Sequence, residues 1–133
     1  MKVKLCSIPV TDRDQAKALK FYTEVLGFEK RKDEQLPNNM GWWLTVGTPE
    51  EPNGAELLLE PARGWEPAKV YYEALYNSGI PVTALKSDDL RKEYEELKNK
   101  GVVFRGEPAE FAGSLSVMFD DTCGNLLQLY QVL

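Results

Sequence analysis

Glu56 and Glu60 stand four residues apart in the run AELLLE that Pro61 ends, and paired carboxylates are the usual equipment of general acid/base chemistry. In an extended strand alternate side chains share a face, so Glu56, Leu58 and Glu60 line one side and Ala55, Leu57 and Leu59 the other. At about 3.3 Å per residue the two carboxylates are roughly 13 Å apart, too far to share a proton or flank one bond. They are not a dyad: each is either a solvated strand position or a lone charge facing a ligand. Gln128 poses a similar choice. In LLQLYQ it shares a face with Leu126 and Tyr130, as an edge amide satisfied by a neighbour or water, or as a polar group aimed into a cavity. Trp42 and Trp43 point to opposite faces of one strand, so one of them faces a cavity whichever side is buried; the alternative is one in the core and one at its rim. An indole platform beside a carboxylate suits a cationic or aromatic ligand.

The chain contains no histidine. The side chain most used for base work near neutral pH and for transition-metal ligation is therefore missing, and Ser-His-Asp and Cys-His nucleophiles are excluded. Cys6 and Cys123 lie at opposite ends of the sequence, with no C-x-x-C pair, and read as reduced thiols of a cytoplasmic protein.

The 133 residues are enough for one domain with one core. A 43% apolar and 28% charged composition is that of a soluble globular protein, and no apolar run approaches the ~20 residues of a membrane span. The opening MKVKLCSIPV alternates like a strand and lacks the apolar core of a secretion signal. With a net charge of −5 and basic residues scattered among acids, nucleic acid is not an expected partner.

The elements that must position these residues follow from periodicity and breakers. Val3 to Val10 is a strand, with Leu5, Ser7 and Pro9 on one face. Asp12 or Asp14 caps a helix bearing Ala16, Leu19, Tyr22 and Leu26, which Gly27 stops. Phe28 to Lys32 is a short strand, Asp33 to Met40 a loop, and Gly41 to Gly47 and Ala55 to Glu60 two further strands. Arg63 to Gly79 reads as a connector with a short helix, whose Tyr71, Tyr72 and Tyr76 cover a core edge or meet a second subunit. The order then repeats: Ile80 to Leu85 is a strand, and Asp88 or Asp89 caps a helix with Leu90, Tyr94 and Leu97 on one face. Val102 to Arg105, Ser114 to Asp120 and Leu126 to Val132 are strands, with a loop from Gly106 to Gly113. In FDDTCGN, the polar side chains of Asp120, Asp121 and Thr122 and the freedom of Gly124 make the turn before the last strand.

On PVTD, ALKFYTEVLGF, SDDL, ELKNKGV and FDDTCGNLLQLYQ, the chain resembles the vicinal oxygen chelate superfamily, the glyoxalase, bleomycin-resistance protein and extradiol dioxygenase group. The resemblance covers nearly the whole chain. It implies an α+β fold of two tandem βαβββ modules, about residues 1–61 and 80–133 with a connector at 62–79, forming a curved mixed sheet around a cavity. Enzymes of that family hold one divalent metal in the cavity, at strand positions that fall here near Ser7, near Leu58 with Glu56 and Glu60 beside it, near Val82, and at Gln128. A hydroxyl, an amide and a glutamate make a weak set for a hard cation and no set for zinc, nickel or iron. The expectation is thus no cofactor, with a divalent metal as the alternative.

Three functions remain open. The first is a cytoplasmic protein that binds or sequesters a small organic ligand through Ser7, Trp43, Glu56, Leu58, Glu60, Val82 and Gln128. The second is a lyase, isomerase or ring-cleaving dioxygenase that uses a divalent metal held by glutamate and waters, or else a lone Glu60 as base. The third is a structural dimer joined through the tyrosine-rich connector. The resemblance favours a homodimer in each case.

Overall fold

Asp14 starts the first helix: its carboxylate accepts the Lys17 backbone N–H at 2.9 Å and caps α1 (Gln15–Lys20). The computed structural model describes residues 1–10, 14–61 and 66–133; Asp12, the other expected cap, and Arg63 and Trp65 of the connector lie outside them. The helix then widens into one π turn over Phe21–Val25, closed by the Leu26 N–H on the Phe21 carbonyl, five residues back, at 3.1 Å. Gly27 then takes a φ of 78°, which returns the Phe28 N–H to the Tyr22 carbonyl. In the second half Asp89 caps α3 (Leu90–Asn99) in the same way, through the Lys92 N–H.

The strands form two four-stranded mixed sheets. The first has the order β1 (Leu5–Val10), β4 (Glu56–Pro61), β3 (Trp42–Gly47), β2 (Glu29–Gln35). The second has the order β5 (Thr83–Lys86), β8 (Leu126–Val132), β7 (Ser114–Asp120), β6 (Ala109–Phe111). In each, the outer helix-preceding strand is parallel to its neighbour and the rest are antiparallel. This is the α+β arrangement expected from the repeated order of elements. Between the halves runs α2 (Glu66–Asn77), longer than the short helix expected and without a buried residue among its twelve.

β1 starts at Leu5 rather than Val3, and β3 and β4 start one residue later than expected, at Trp42 and Glu56; three larger departures from the sequence reading all lie at sheet margins. β2 continues through Asp33 to Gln35 beyond the expected stop at Lys32, with a shift of register between Lys30 and Lys32. An edge strand does not need an apolar face, so its charged residues gave no strand signal. Val102 to Arg105 makes only an isolated bridge, Phe104 to Phe119, and the edge strand β6 falls in the segment read as a loop. β5 begins at Thr83 rather than Ile80, after Pro81, which has no N–H to give a ladder.

The core lies on the helix-bearing faces of both sheets. Ile8, Val10, Leu44, Val46 and Leu59 of the first sheet join Leu115, Val117, Phe119, Leu127 and Leu129 of the second in one apolar cluster with Ala18, Tyr22, Leu90 and Tyr94 from the helices. The two sheets therefore turn these faces toward each other, and their remaining faces look outward. Gln15 fixes the first sheet to α1: its Nε2 donates to the carbonyls of Trp42 and Leu59, both at 2.8 Å, and its Oε1 accepts the Trp42 N–H at 3.0 Å. Gly41 leaves room for that amide, since a Cβ there would sit 2.8 Å from Gln15 Oε1, at a φ of 99°. Gln15→Ala is expected to cost about 2 kcal/mol in urea unfolding, because backbone groups of two strands lose their partner at once; a cost below about 0.5 kcal/mol would show that water replaces the amide.

Candidate functional site

Strand alternation and register assemble the first-sheet candidates on one outer face. Ser7 lies across from Leu58 in the parallel β1–β4 pair, and Thr45 lies across from Leu58 on the other side. Glu56 and Glu60 flank Leu58 in β4, and Trp43 flanks Thr45 in β3. Ser7 and Glu60 are exposed, Trp43 and Glu56 are half-buried, and Leu58 is buried. Trp42, on the opposite side of β3, is 44% exposed, so of the two indoles it is Trp43 that stands on the face of the carboxylates.

The carboxylates on this face are not equivalent. Glu56 accepts the Thr45 hydroxyl at 2.6 Å, and Thr45 Oγ1 in turn accepts the Lys32 N–H at 3.1 Å. Glu56 is thereby committed to the sheet. Glu60, one turn of the pleat further on, reaches toward α2: the Tyr72 hydroxyl is held above its ordinary pKa by burial and then by the negative charge of Glu60. Of the two carboxylates in β4 on this face, Glu60 is the exposed one. That placement suits recognition of a cation.

Gln128 lies on the outer face of the second sheet, half-buried in β8 and paired in register with Ala84 and Met118. It lines a cavity of about 400 Å³ with Ser116, Met118, Ile80 and Arg105. Arg105 donates to the Tyr76 hydroxyl at 2.9 Å and to Asp120 Oδ2 at 3.3 Å, and its guanidinium stands 5.4 Å from the centre of the Tyr76 ring. The Tyr76 hydroxyl also donates to Asp120. This charged and aromatic cluster draws on α2, β7 and the segment before β6, so no spacing in the sequence announces it; Tyr76 alone was visible, as a connector aromatic. Val82 packs against the apolar core.

Within one chain the two groups of candidates are not brought together. The cavity at Gln128 has no lining residue from the first sheet, because the sheets present their outer faces in different directions. The same separation bears on the family's metal. Among the described residues no three of Cys, Asp and Glu gather as metal ligands, and the four positions offer the Ser7 hydroxyl, Leu58 with the committed Glu56 and the exposed Glu60 beside it, Val82 and the Gln128 amide. That donor set does not fit a divalent transition metal.

Comparison with known proteins agrees with this architecture. Residues 4–129 match the sequence pattern of the Glyoxalase/Bleomycin resistance protein/Dioxygenase superfamily. YurT of Bacillus subtilis, an uncharacterized protein, is 44% identical over 98% of this chain and 99% of its own. The crystal structure of UcmS2 superposes with a TM-score of 0.80 at 34% identity, covering 98% of this chain and 97% of that one. TnmS3, an antibiotic binding protein from Streptomyces, superposes with a TM-score of 0.74 at 28% identity, covering 100% and 97%. With the family pattern spanning nearly every residue and the sheets ordered as described, the chain belongs to the glyoxalase/bleomycin resistance protein/dioxygenase superfamily.

Proposed function

We propose that this protein binds a small organic molecule without transforming it, in cavities that each join the outer face of the first sheet of one copy to the outer face of the second sheet of another. The observation that carries the reading is the division of the candidates. Trp43 and Glu60 offer a stacking surface and a charge on one sheet, Gln128 offers an amide in a cavity on the other, and neither face is complete alone. A second copy related by a twofold axis would supply each face with the other and make two identical sites. The ligand chemistry that suits them is an aromatic or cationic body, stacked on Trp43, near the Glu60 charge and oriented by Gln128. The likeness to an antibiotic binding protein supports a bound organic ligand, and the missing imidazoles argue for binding over metal-assisted chemistry.

A screen of aromatic and cationic compounds by tryptophan fluorescence tests this. Ligands of this class are expected to quench the emission of the parent chain, with Trp43→Phe losing most of the response and the affinity falling about tenfold or more in Glu60→Gln for cationic members. Silence across the screen would count against a binding role. In parallel, nickel, zinc, manganese and ferrous iron are expected to give no stoichiometric retention and no thermal shift; tight metal with melting that falls on chelation would return the enzyme reading.

A further inference from the structure

A second cavity, of about 560 Å³, lies apart from the outer faces, in the seam where the helix-bearing sides of the two sheets meet. Its floor is apolar and comes from both halves: Leu57 of β4, Phe119 of β7, Leu129 of β8 and Leu97 of α3. Its rim is acidic. Glu50 and Glu51 from the β3–β4 turn share the lining with Asp88, just before the α3 cap, and with Glu93 and Glu96 of α3, against Lys86 and Lys100. Both lysines are already engaged, Lys86 with Asp88 at 3.4 Å and Lys100 with the Val25 carbonyl at 3.2 Å. None of Ser7, Trp43, Glu56, Glu60 or Gln128 lines this cavity.

We propose that this seam is a separate ligand site for a lipophilic monocation, whose apolar body rests on the leucine and phenylalanine floor while a protonated amine meets the carboxylates at the rim. The volume falls in the range of about 300–1,000 Å³ that small-molecule sites occupy. Charge complementarity selects the occupant: Lys86 offsets Asp88 and Lys92 stands 4.0 Å from Glu96, so it is chiefly Glu50, Glu51 and Glu93 that would repel an anion, whereas an amine relieves a repulsion the fold now carries. Glu93 shows that repulsion. Partial burial holds its carboxyl above the ordinary range, Ser87 pulls the other way, and Glu50, Glu96 and Asp88 push it up further. An amine placed between Glu93 and the Glu50 turn would be paired with charge while its hydrocarbon leaves water.

Isothermal titration calorimetry with three naphthalene probes of one shape tests the proposal: 2-(1-naphthyl)ethylamine, the neutral 2-(1-naphthyl)ethanol and the anion 1-naphthylacetate. The amine is expected to bind at least about tenfold more tightly than the carboxylate, the alcohol in between, and the preference to shrink as salt is raised. Glu93→Gln should weaken the amine about threefold to tenfold and leave the alcohol unchanged. Ala55, exposed on the cavity lining, offers a plug that spares the core: Ala55→Trp should remove binding of both while the fold keeps its circular dichroism. Equal affinity for amine and carboxylate, or no detectable amine binding, would overturn the assignment. So would amine binding that Trp43→Ala abolishes and Ala55→Trp leaves intact, since that pattern places the probe on the outer face.

Discussion

Asp121→Ala is expected to lower the folding free energy by about 3–5 kcal/mol, the sum of several stranded buried donors, and to drop the melting temperature by roughly 10–20 °C for a chain of this length. Asp121 is fully buried and its carboxylate is the hub on which the halves of the molecule meet. Oδ1 accepts the backbone N–H groups of Cys123 at 2.8 Å and Asn125 at 2.9 Å, which shapes the β7–β8 turn. Oδ2 accepts the Tyr22 hydroxyl at 2.8 Å and Asn125 Nδ2 at 2.7 Å, and Nδ2 also donates to the Pro9 carbonyl at 2.7 Å. One carboxylate thus ties the turn of the second sheet to α1 and, through Asn125, to the end of β1. Burial raises its pKa, while the donors from Asn125, Cys123 and Tyr22 oppose that rise; the Tyr22 hydroxyl, buried beside it, is pushed well up and stays a donor. Tyr22→Phe removes one of these bonds and should cost about 1–2 kcal/mol. Chemical unfolding of the two variants decides the matter: a loss in Asp121→Ala no larger than in Tyr22→Phe would mean that the turn holds without its hub.

The turn was legible in the sequence and the hub was not, for a physical reason. Short polar side chains next to glycine specify local backbone bonds, and the Asp120 carboxylate does accept the Thr122 N–H at 2.7 Å, as such residues do in turns. The reach from Tyr22 to Asp121 spans 99 positions, and no local preference encodes it. The same division runs through the fold. Helices α1 and α3 were readable because aspartate caps and apolar residues at helical spacing act within a few residues, although the buried face of the first runs through Gln15, Ala18, Phe21 and Tyr22, with Ala16 exposed. The outer part of edge strand β2, Asp33 to Gln35, and all of β6 were missed because pairing with one neighbour and exposure to water leave no alternation to see. Among the site residues, alternation correctly placed Glu56, Leu58 and Glu60 on one face. Which face looked outward, and that Gln128 would share its cavity with Arg105 instead of Glu60, depended on how two sheets pack, and that is decided by the summed apolar surface of both.

Mixing two separately inactive variants is expected to restore ligand binding, the strongest consequence of a site divided between copies. Trp43→Ala removes the stacking surface from the first sheet, a truncation of the kind that costs about 2 kcal/mol or more, and Gln128→Arg crowds the cavity on the second. Each homodimer then carries the same lesion in both of its sites. If the sites join opposite halves of two chains, a mixed dimer gathers both lesions in one site and leaves the other with an intact Trp43 face and an intact Gln128 face. Unfolding and refolding an equal mixture makes about half of the dimers mixed, so about a quarter of all sites should regain the parental affinity. The readout is the binding stoichiometry measured with a ligand from the fluorescence screen, with sedimentation equilibrium to confirm that the chains are paired. A stoichiometry that stays at the level of the separate variants would place each site within one chain. The outward turn of the two candidate faces in a single copy argues for restoration: Trp43 and Gln128 stand on sheets whose helix-bearing sides are already committed to each other by Ile8, Val10, Leu59, Phe119 and Leu127, which is why the proposed site takes its two faces from two chains.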